Sequence, residues 1–424
     1  MDELVAETLR NVGFGDAFFA WPAGAAKRFD ELVRAGTGRD PEGTARFLVW
    51  LRAETPMRYP ALVGAAAFVS ERLARGEHGL SRQLISGVLR RADDPGQLLA
   101  YWLSVHGALP KPVKRGVADA VARLYDQEAA EQYDTDAYHV EAPQFTGMAM
   151  ALHGGVRTPK PLRFRDVIAL THPAVPYQEV FRSPKRRLGR RELRTLDRPA
   201  WDRLIAAMPV PDLLANLRLF DEASIPFETV MTVAARIADR NEVKGTRPMR
   251  FVAAWNAISS SRWRPALATG AAHSAHDIPE IPGSTLVMIA PDTAEGAAFG
   301  LVLAQRCVRA QVQSTRGEPF ELAQGESPLH ALIRWQATNS GRDPERQYEA
   351  VRQQDHDRVV FISTEVSDAA DAEVTVPMYL WQTENPRWLA EDDESAPDKH
   401  VFYGVSDAAF DAIPVMEGAW PWER

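Results

Sequence analysis

Apolar residues recur every three or four positions along most of the first 270 residues, the spacing that lines one face of a helix. Asp40-Pro41 supplies a capping carboxylate followed by proline at a first helical position. Phe47, Leu48 and Leu51 then share one face of a predicted helix over Thr44–Glu54, which Thr55-Pro56 ends. Further helices are predicted over Tyr59–Arg75, Ser81–Arg91 (opened by a serine cap), Gly96–His106, Pro112–Glu131 and Arg163–Thr171. Arg198–Ala207, Pro211–Phe220, Ile225–Asp239 and Arg250–Ser259 complete the series. Many short helices joined by brief connections suggest a solenoid of antiparallel, HEAT-like helix pairs. Ala137–Pro161, rich in Gly, Pro, Met and His, interrupts the pattern as an inserted loop or small subdomain.

After residue 280 the pattern changes. Ser284–Ala290 is a short apolar run that suits a buried parallel strand, followed by a predicted helix over Thr293–Arg309. Val312–Gln313 reads as the start of an edge strand, and Ser327–Thr338 and Pro344–Gln354 as helices. Arg358–Ser363, Val376–Trp381 and His400–Tyr403 are further strands. Strands alternating with helices predict an open parallel sheet wrapped by helices. The expected fold class is therefore mostly α plus α/β, with one domain over 1–275 and a second over 276–424.

Composition narrows the function classes. The chain has 424 residues with a single cysteine, Cys307, which excludes an internal disulfide framework and a multi-cysteine zinc site. Cys307 falls in an apolar helical pattern, Leu301–Val308, and reads as core packing. No apolar run reaches bilayer length, and Asp2-Glu3 suits neither a secretory signal nor a transit peptide, so a cytoplasmic protein is expected. There is no phosphate-binding loop, nucleophile elbow or His-Glu-x-x-His motif, and no enzyme is read. The net charge of −8 argues at first against a nucleic-acid partner. Its distribution argues otherwise: residues from 281 onward carry 11 Lys+Arg against 24 Asp+Glu, a net of −13, leaving +5 on the rest.

The positive charge is concentrated. Lys111, Lys114 and Arg115 bunch at the start of one amphipathic helix, and Arg163, Arg165 and His172 dress another. Residues 157–198 hold 12 basic against 4 acidic side chains. Such a strip on short helices that otherwise bury Val, Leu and Ile suits a phosphate backbone. Positive charge at a helix start opposes the dipole, which argues for function over structure at Lys111, Lys114 and Arg115. The run Phe181–Thr195 is either a solvated linker or a direct RNA contact.

Six segments in order resemble the Ro autoantigen (TROVE) family, in the form seen in actinobacterial and phage members. They are Thr55–Arg58, Arg90–Trp102, Leu109–Asp119, Tyr133–Asp136, Phe164–Pro173 and Met208–Leu217. The resemblance implies a HEAT-repeat ring whose hole takes the single-stranded 3′ end of an RNA, with stems of Y RNAs on a basic outer face. Carried over by position, Lys111, Lys114 and Arg115 fall on the family's basic helix start, and His172 on its RNA-contacting histidine. Two departures stand out. Gln132 replaces a lysine, and the insertion lengthens a normally short loop, where Arg157 and Lys160 could restore the charge.

Arg358–Glu365 and Val405–Glu417 resemble the family's von Willebrand factor A domain. In relatives that domain holds Mg²⁺ in a metal-ion-dependent adhesion site (MIDAS). Here Ala290 and Ala294 replace an aspartate and a serine of its first motif, and Thr364 stands where a second aspartate belongs; Asp292, Thr293 and Glu365 remain as stray oxygens. The resemblance thus implies a metal-free A domain, with no cofactor. The expected function is non-catalytic binding of small non-coding or misfolded RNA, with a nuclease or RNA-repair protein as a further partner and neither membrane nor DNA. The alternative is a protein-interaction scaffold or structural subunit that has lost RNA binding.

Other residues read as structure. His273, His276 and Asp277 have a zinc-like spacing but no third strong ligand nearby. Arg90-Arg91 suits a helix C-terminus. Trp50, Trp102, Trp201 and Trp255 fall in core patterns, while Trp420 and Trp422 pack the end of the chain.

Overall fold

The computed structural model describes residues 1–12, 24–124, 153, 162–173, 198–291, 293–315, 318–339, 356–364, 375–383 and 398–423. The chain divides into two compact units, Met1–Arg187 with Arg387–Asp393 and Gly418–Arg424, and Leu188–Pro386 with Glu394–Glu417.

The described part of the first unit is helical: α1 (Asp2–Arg10), α2 (Ala25–Arg39), α3 (Pro41–Glu54), α4 (Arg58–Ala74), α5 (Ser81–Val88), α6 (Asp94–His106), α7 (Lys111–Leu124) and α8 (Phe164–Thr171). Asp40 caps α3 as the sequence predicts, its Oδ1 accepting from the Gly43 N–H at 2.9 Å. The core helix is α4, buried from Arg58 through Val69, with α2, α3, α5 and α6 packed around it. Helix α5 differs from expectation. Ser81 is its first residue, not its cap, and the helix ends at Val88. The capping position belongs to Leu80, at φ 57.

A buried ion network joins α3, α4 and the start of α6. Arg58 is 5% exposed and Asp94 fully buried. Arg58 Nε donates to Asp94 Oδ1 at 2.6 Å, and its second nitrogen lies 2.6 Å from Asp93 Oδ2. Asp94 Oδ2 also accepts from Arg52 at 2.9 Å and from the backbone N–H groups of Arg90 and Arg91 at 2.7 Å each. Burial alone would raise the Asp94 carboxyl, but Arg58, Arg52 and the two amides hold it below the ordinary carboxylate value.

The second unit combines helices α9 (Arg198–Ala207), α10 (Val210–Ala223), α11 (Phe227–Ala238), α12 (Pro248–Ala257) and α13 (Arg264–Ala275) with a six-stranded sheet. Strands β1 (Ile281–Ile289), β2 (Cys307–Ser314), β3 (Pro319–Phe320), β4 (Arg358–Ser363), β5 (Met378–Gln382) and β6 (Lys399–Tyr403) lie in the order β3-β2-β1-β4-β5-β6. All pairings are parallel except β2 with β3. Strands β4 and β5 are buried throughout, which explains their unbroken apolar runs. Helices α14 (Ala294–Arg306), α15 (Pro328–Asn339) and α16 (Ala412–Met416) complete the unit.

The fold is mostly helical with a mixed six-stranded sheet, the class the sequence predicts. Two local expectations are corrected. The helix predicted to Arg309 stops at Arg306, and Cys307 opens β2; its thiol donates back to the Leu303 carbonyl at 3.4 Å. Val312 and Gln313 lie inside the sheet, paired on both sides of β2, and the edge is β3. The sequence misleads because the first half of β2 is exposed, so its apolar residues carry no buried alternation.

The segment Asp407–Asp411 is fixed to α12: Asp407 Oδ1 accepts from the Met249 N–H at 2.8 Å, and Arg247 pairs with Asp411 at 3.0 Å. Burial pushes the Asp407 carboxyl from 3.8 up to about 6, against the pull of the Met249 amide, Arg247 and Arg250. Its folded value is raised, so its contribution to stability is complete below pH 3.8 and is lost as pH rises through about 6. Asp407→Asn keeps the acceptor and removes that titration. Urea unfolding should show the variant gaining on the wild type by on the order of 2–3 kcal/mol between pH 3.8 and neutral pH. Parallel stability curves for the two proteins would contradict this.

Candidate nucleic-acid interface

Helix α7 follows a tight turn. Gly107 ends α6 at φ 75, Trp102 Nε1 donates to the Ala108 carbonyl at 2.9 Å, and the Lys114 N–H reaches the Pro110 carbonyl at 3.1 Å. Val113, Val117, Ala120 and Val121 are buried at helical spacing. Gly116 lets α7 lie close on α5: a Cβ there would stand 2.8 Å from the Arg82 carbonyl oxygen and 2.7 Å from Ile85 Cβ. Arg82 clasps Asp119 through two bonds of 2.6 and 2.7 Å, and Arg123 donates to the Leu89 and Ser86 carbonyls.

With that face fixed, Lys111 and Arg115 are exposed and Lys114 half-buried. Neither lysine forms an ion pair with a described residue. Arg115 adds to the field that holds the Asp119 carboxyl low, behind the stronger hydrogen bonds from Arg82. Helix α8 packs against α6 and α7, burying Phe164, Val167 and Thr171. Arg163 occupies its N-cap position, where its backbone N–H donates to Asp166 at 2.9 Å, and Arg165 is exposed. His172 ends the helix at φ 49, ψ 62, with its N–H on the Ile168 carbonyl at 2.9 Å and its ring exposed. The proline that follows disfavours the right-handed helical region at His172, and histidine tolerates the left-handed one better than most residues. The six residues thus lie on two helices in mutual contact within one unit.

Arg157 and Lys160, like Gln132 and residues 181–195, lie outside the described residues. One residue of the insertion, His153, is described. Burial holds it below the usual histidine range, and its Nε2 shares a hydrogen bond of 3.0 Å with the Tyr101 hydroxyl.

The chain has the fold of a Ro protein. A solved structure, the Ro (RSR) protein of Deinococcus radiodurans, aligns over 92% of this chain and 94% of its own, with TM-score 0.56 and 14% sequence identity. No family model matches the chain, and no curated protein matches it.

Against that Ro fold, the motif segments quoted from the sequence divide into two kinds. Thr55–Arg58 is architectural: the Thr55 hydroxyl donates to the Leu51 carbonyl and accepts from the Met57 N–H, turning the chain so that Arg58 enters the core. Asp93 and Asp94 belong to the same network, which the sequence reading left unassigned. An acidic pair just before a proline at a helix start, with two arginines ahead of it, is the signal that could have revealed it. The stretch Leu109–Asp119 instead displays its charge.

At the carboxyl ends of the strands, the described residues do not fit a Mg²⁺ ion. Ala290 is buried and has no side-chain oxygen, and its N–H donates to the Ile362 carbonyl at 2.8 Å; Ala294, which likewise has none, begins α14. The Thr293 hydroxyl accepts from the Gly296 N–H at 3.0 Å as the cap of α14, and Thr364 follows β4. Asp292 and Glu365 lie outside the described residues. Among those described, no three His, Cys, Asp or Glu side chains gather as a metal site. His276 instead hydrogen-bonds the Ala272 carbonyl at 2.8 Å. No described helix is long and apolar enough to cross a membrane.

Proposed function

We propose that this chain is a non-catalytic RNA-binding protein that holds small non-coding, Y-like or misfolded RNA, taking its unpaired 3′ end within a helical ring. Residues 1–275 would form the RNA-holding part. Residues 276–424, similar to a von Willebrand factor A domain, would act without Mg²⁺ as architecture or as an acidic surface for a nuclease or repair protein. The observation that carries the reading is the cluster Lys111, Lys114 and Arg115, with Lys111 and Arg115 exposed and Lys114 half-buried. It sits at a helix start, where positive charge costs stability, on a chain that shares the Ro fold along most of its length. Phosphate binding gives those charges a purpose; Arg165, Arg163 and His172, on a helix in contact with α7, would add to the same interface.

The test is a salt titration of the full chain with a single-stranded oligoribonucleotide. Contacts from the five Lys and Arg side chains should give a log–log slope of about −3.5. A second reading, a protein scaffold, draws on the net −13 of residues 281–424. Absence of binding even at low salt would favour it and defeat the first.

A further inference from the structure

Strand β2 is paired along its length on one side and over only two residues on the other. Towards β1 it runs in parallel register from Ile281↔Cys307 to Ile289↔Ser314. On its far side β3 meets only Val312 and Gln313, and the chain then leaves the sheet. Two bonds fix which way the backbone groups point. The Thr315 N–H donates to the Ile289 carbonyl on the β1 side, and the Ser314 N–H to the Glu318 carbonyl on the β3 side. Backbone groups alternate sides along a strand, so those of Val308 and Ala310 point outward with those of Ser314. Their two N–H and two C=O groups meet no partner among the described residues. Val308, Arg309, Ala310 and Gln311 are all exposed, Val308 to 57%. Side chains alternate faces, so this half of β2 is bare on both faces as well as at its edge.

Such an edge is a template for another strand, and sheets blunt it with a proline, a covering element or a charge. Val308–Gln311 contains no proline, and β3 does not extend over it. Its charge is Arg309, and the position of that charge decides the occupant. Arg309 turns its backbone groups to β1, so on the open edge it holds a non-hydrogen-bonded position, where facing side chains come closest. A second copy would be a poor occupant. The two-fold register that uses every open group sets each Val308 against the other copy's Ala310, and the two Arg309 side chains directly against each other. Like charges facing across a pair are destabilising, whereas a carboxylate facing Arg309 is favourable.

We infer that the open edge of β2 takes an extended segment of a partner protein, antiparallel along the line that β3 begins. Its main chain bonds Val308 and Ala310, and a Glu or Asp faces Arg309. Main-chain bonds hold such a segment, and its alternate side chains select it. No RNA contact is asked of this edge.

The probe is a labelled peptide, acetyl-Ser-Thr-Val-Glu-Val-Thr-Ser-amide, added to the full chain and followed by fluorescence polarisation and hydrogen exchange. The Val308 and Ala310 amides should exchange quickly in the free protein and more slowly with peptide bound. Lysine in place of the peptide's glutamate should weaken binding roughly threefold to tenfold, and Arg309→Glu should reverse that preference. Ala310→Pro removes an N–H that faces away from β1, a place where a strand tolerates proline, and should weaken binding by roughly tenfold or more. Methylating the peptide's two valine nitrogens should do the same. Oligoribonucleotide binding should not change in Ala310→Pro. No binding of the glutamate peptide at millimolar concentration would mean that Arg309 merely guards the edge, and would overturn the site. Equal binding of the two peptides, or binding that Ala310→Pro leaves intact, would also overturn it. A concentration-dependent dimer that Ala310→Pro abolishes would show that a second copy takes the edge instead.

Discussion

Reversing the charges of Lys111, Lys114 and Arg115 together should weaken single-stranded RNA binding by roughly a hundredfold at moderate salt. The salt slope should also become shallower by about 2, since each single-strand phosphate contact contributes about 0.7. What makes the variant informative is that stability should move the other way. Lys111 and Lys114 lie in the first turn or so of α7, where glutamate is favoured over lysine by the helix dipole. The valine face that holds α7 on α5 is untouched, and Asp119 keeps both bonds from Arg82. Only Arg115→Glu adds a like-charge neighbour one turn before Asp119, a cost of a few tenths of a kcal/mol. Lost binding in a protein of undiminished thermal stability would therefore report a lost contact, not a lost fold. Gel shifts that do not distinguish the variant from the wild type would remove Lys111, Lys114 and Arg115 from the interface.

The helical half was legible where periodicity and caps agreed. Asp40-Pro41 opens α3 where expected, because a capping carboxylate and a proline at a helix start act locally. Asp94, by contrast, is the first residue of α6 and turns its carboxylate to Arg58 and Arg52. Helix α2 is not among the predicted helices: Gly36 and Gly38 interrupt its pattern, yet a Cβ at Gly36 would stand 2.9 Å from Thr44 Oγ1, so the helix tolerates glycine for the sake of contact with α3. That reason is tertiary and invisible in sequence. Strand β2 was hidden likewise, since its first residues bury little and its pairing partners lie far along the chain.

The candidate site divides along the same line. Charge at the start of α7 and α8 could be read directly, because it is a local anomaly against the dipole. The packing of Trp422 on Phe47 and Trp50 could not: it needs residues of α3 to meet the last few residues of the chain. Trp422 does pack the chain end as expected, but it does so with its N–H facing no described partner. Arg58, Asp93 and Asp94 show the converse. They sit in segments that carry the resemblance to the Ro family, and without coordinates nothing separates a contact surface from a core there.

That core carries the largest expected effect on stability. Asp94→Asn should destabilise the first unit by about 3–5 kcal/mol, because it leaves Arg58 buried with Asp93 as its remaining carboxylate and strips charge from the acceptor of Arg52. Attraction within the pair is not the main reason. Ions this deep are costly to desolvate, and the loss measures an uncompensated guanidinium more than a broken bond. Two further measurements separate these contributions. Arg58→Met in the Asp94→Asn background should cost much less than Arg58→Met alone, a coupling that a double-mutant cycle reads directly. The pH dependence has a fixed sign: the folded Asp94 carboxyl lies below its ordinary 3.8, so the wild type's advantage is complete above that pH and fades as pH falls through the lower folded value. Urea unfolding of wild type and Asp94→Asn should accordingly differ by a constant amount at neutral and mildly acidic pH and converge only in strong acid. A difference under about 1 kcal/mol at neutral pH, or convergence already well above pH 3.8, would mean that the network is not what holds α3, α4 and α6 together.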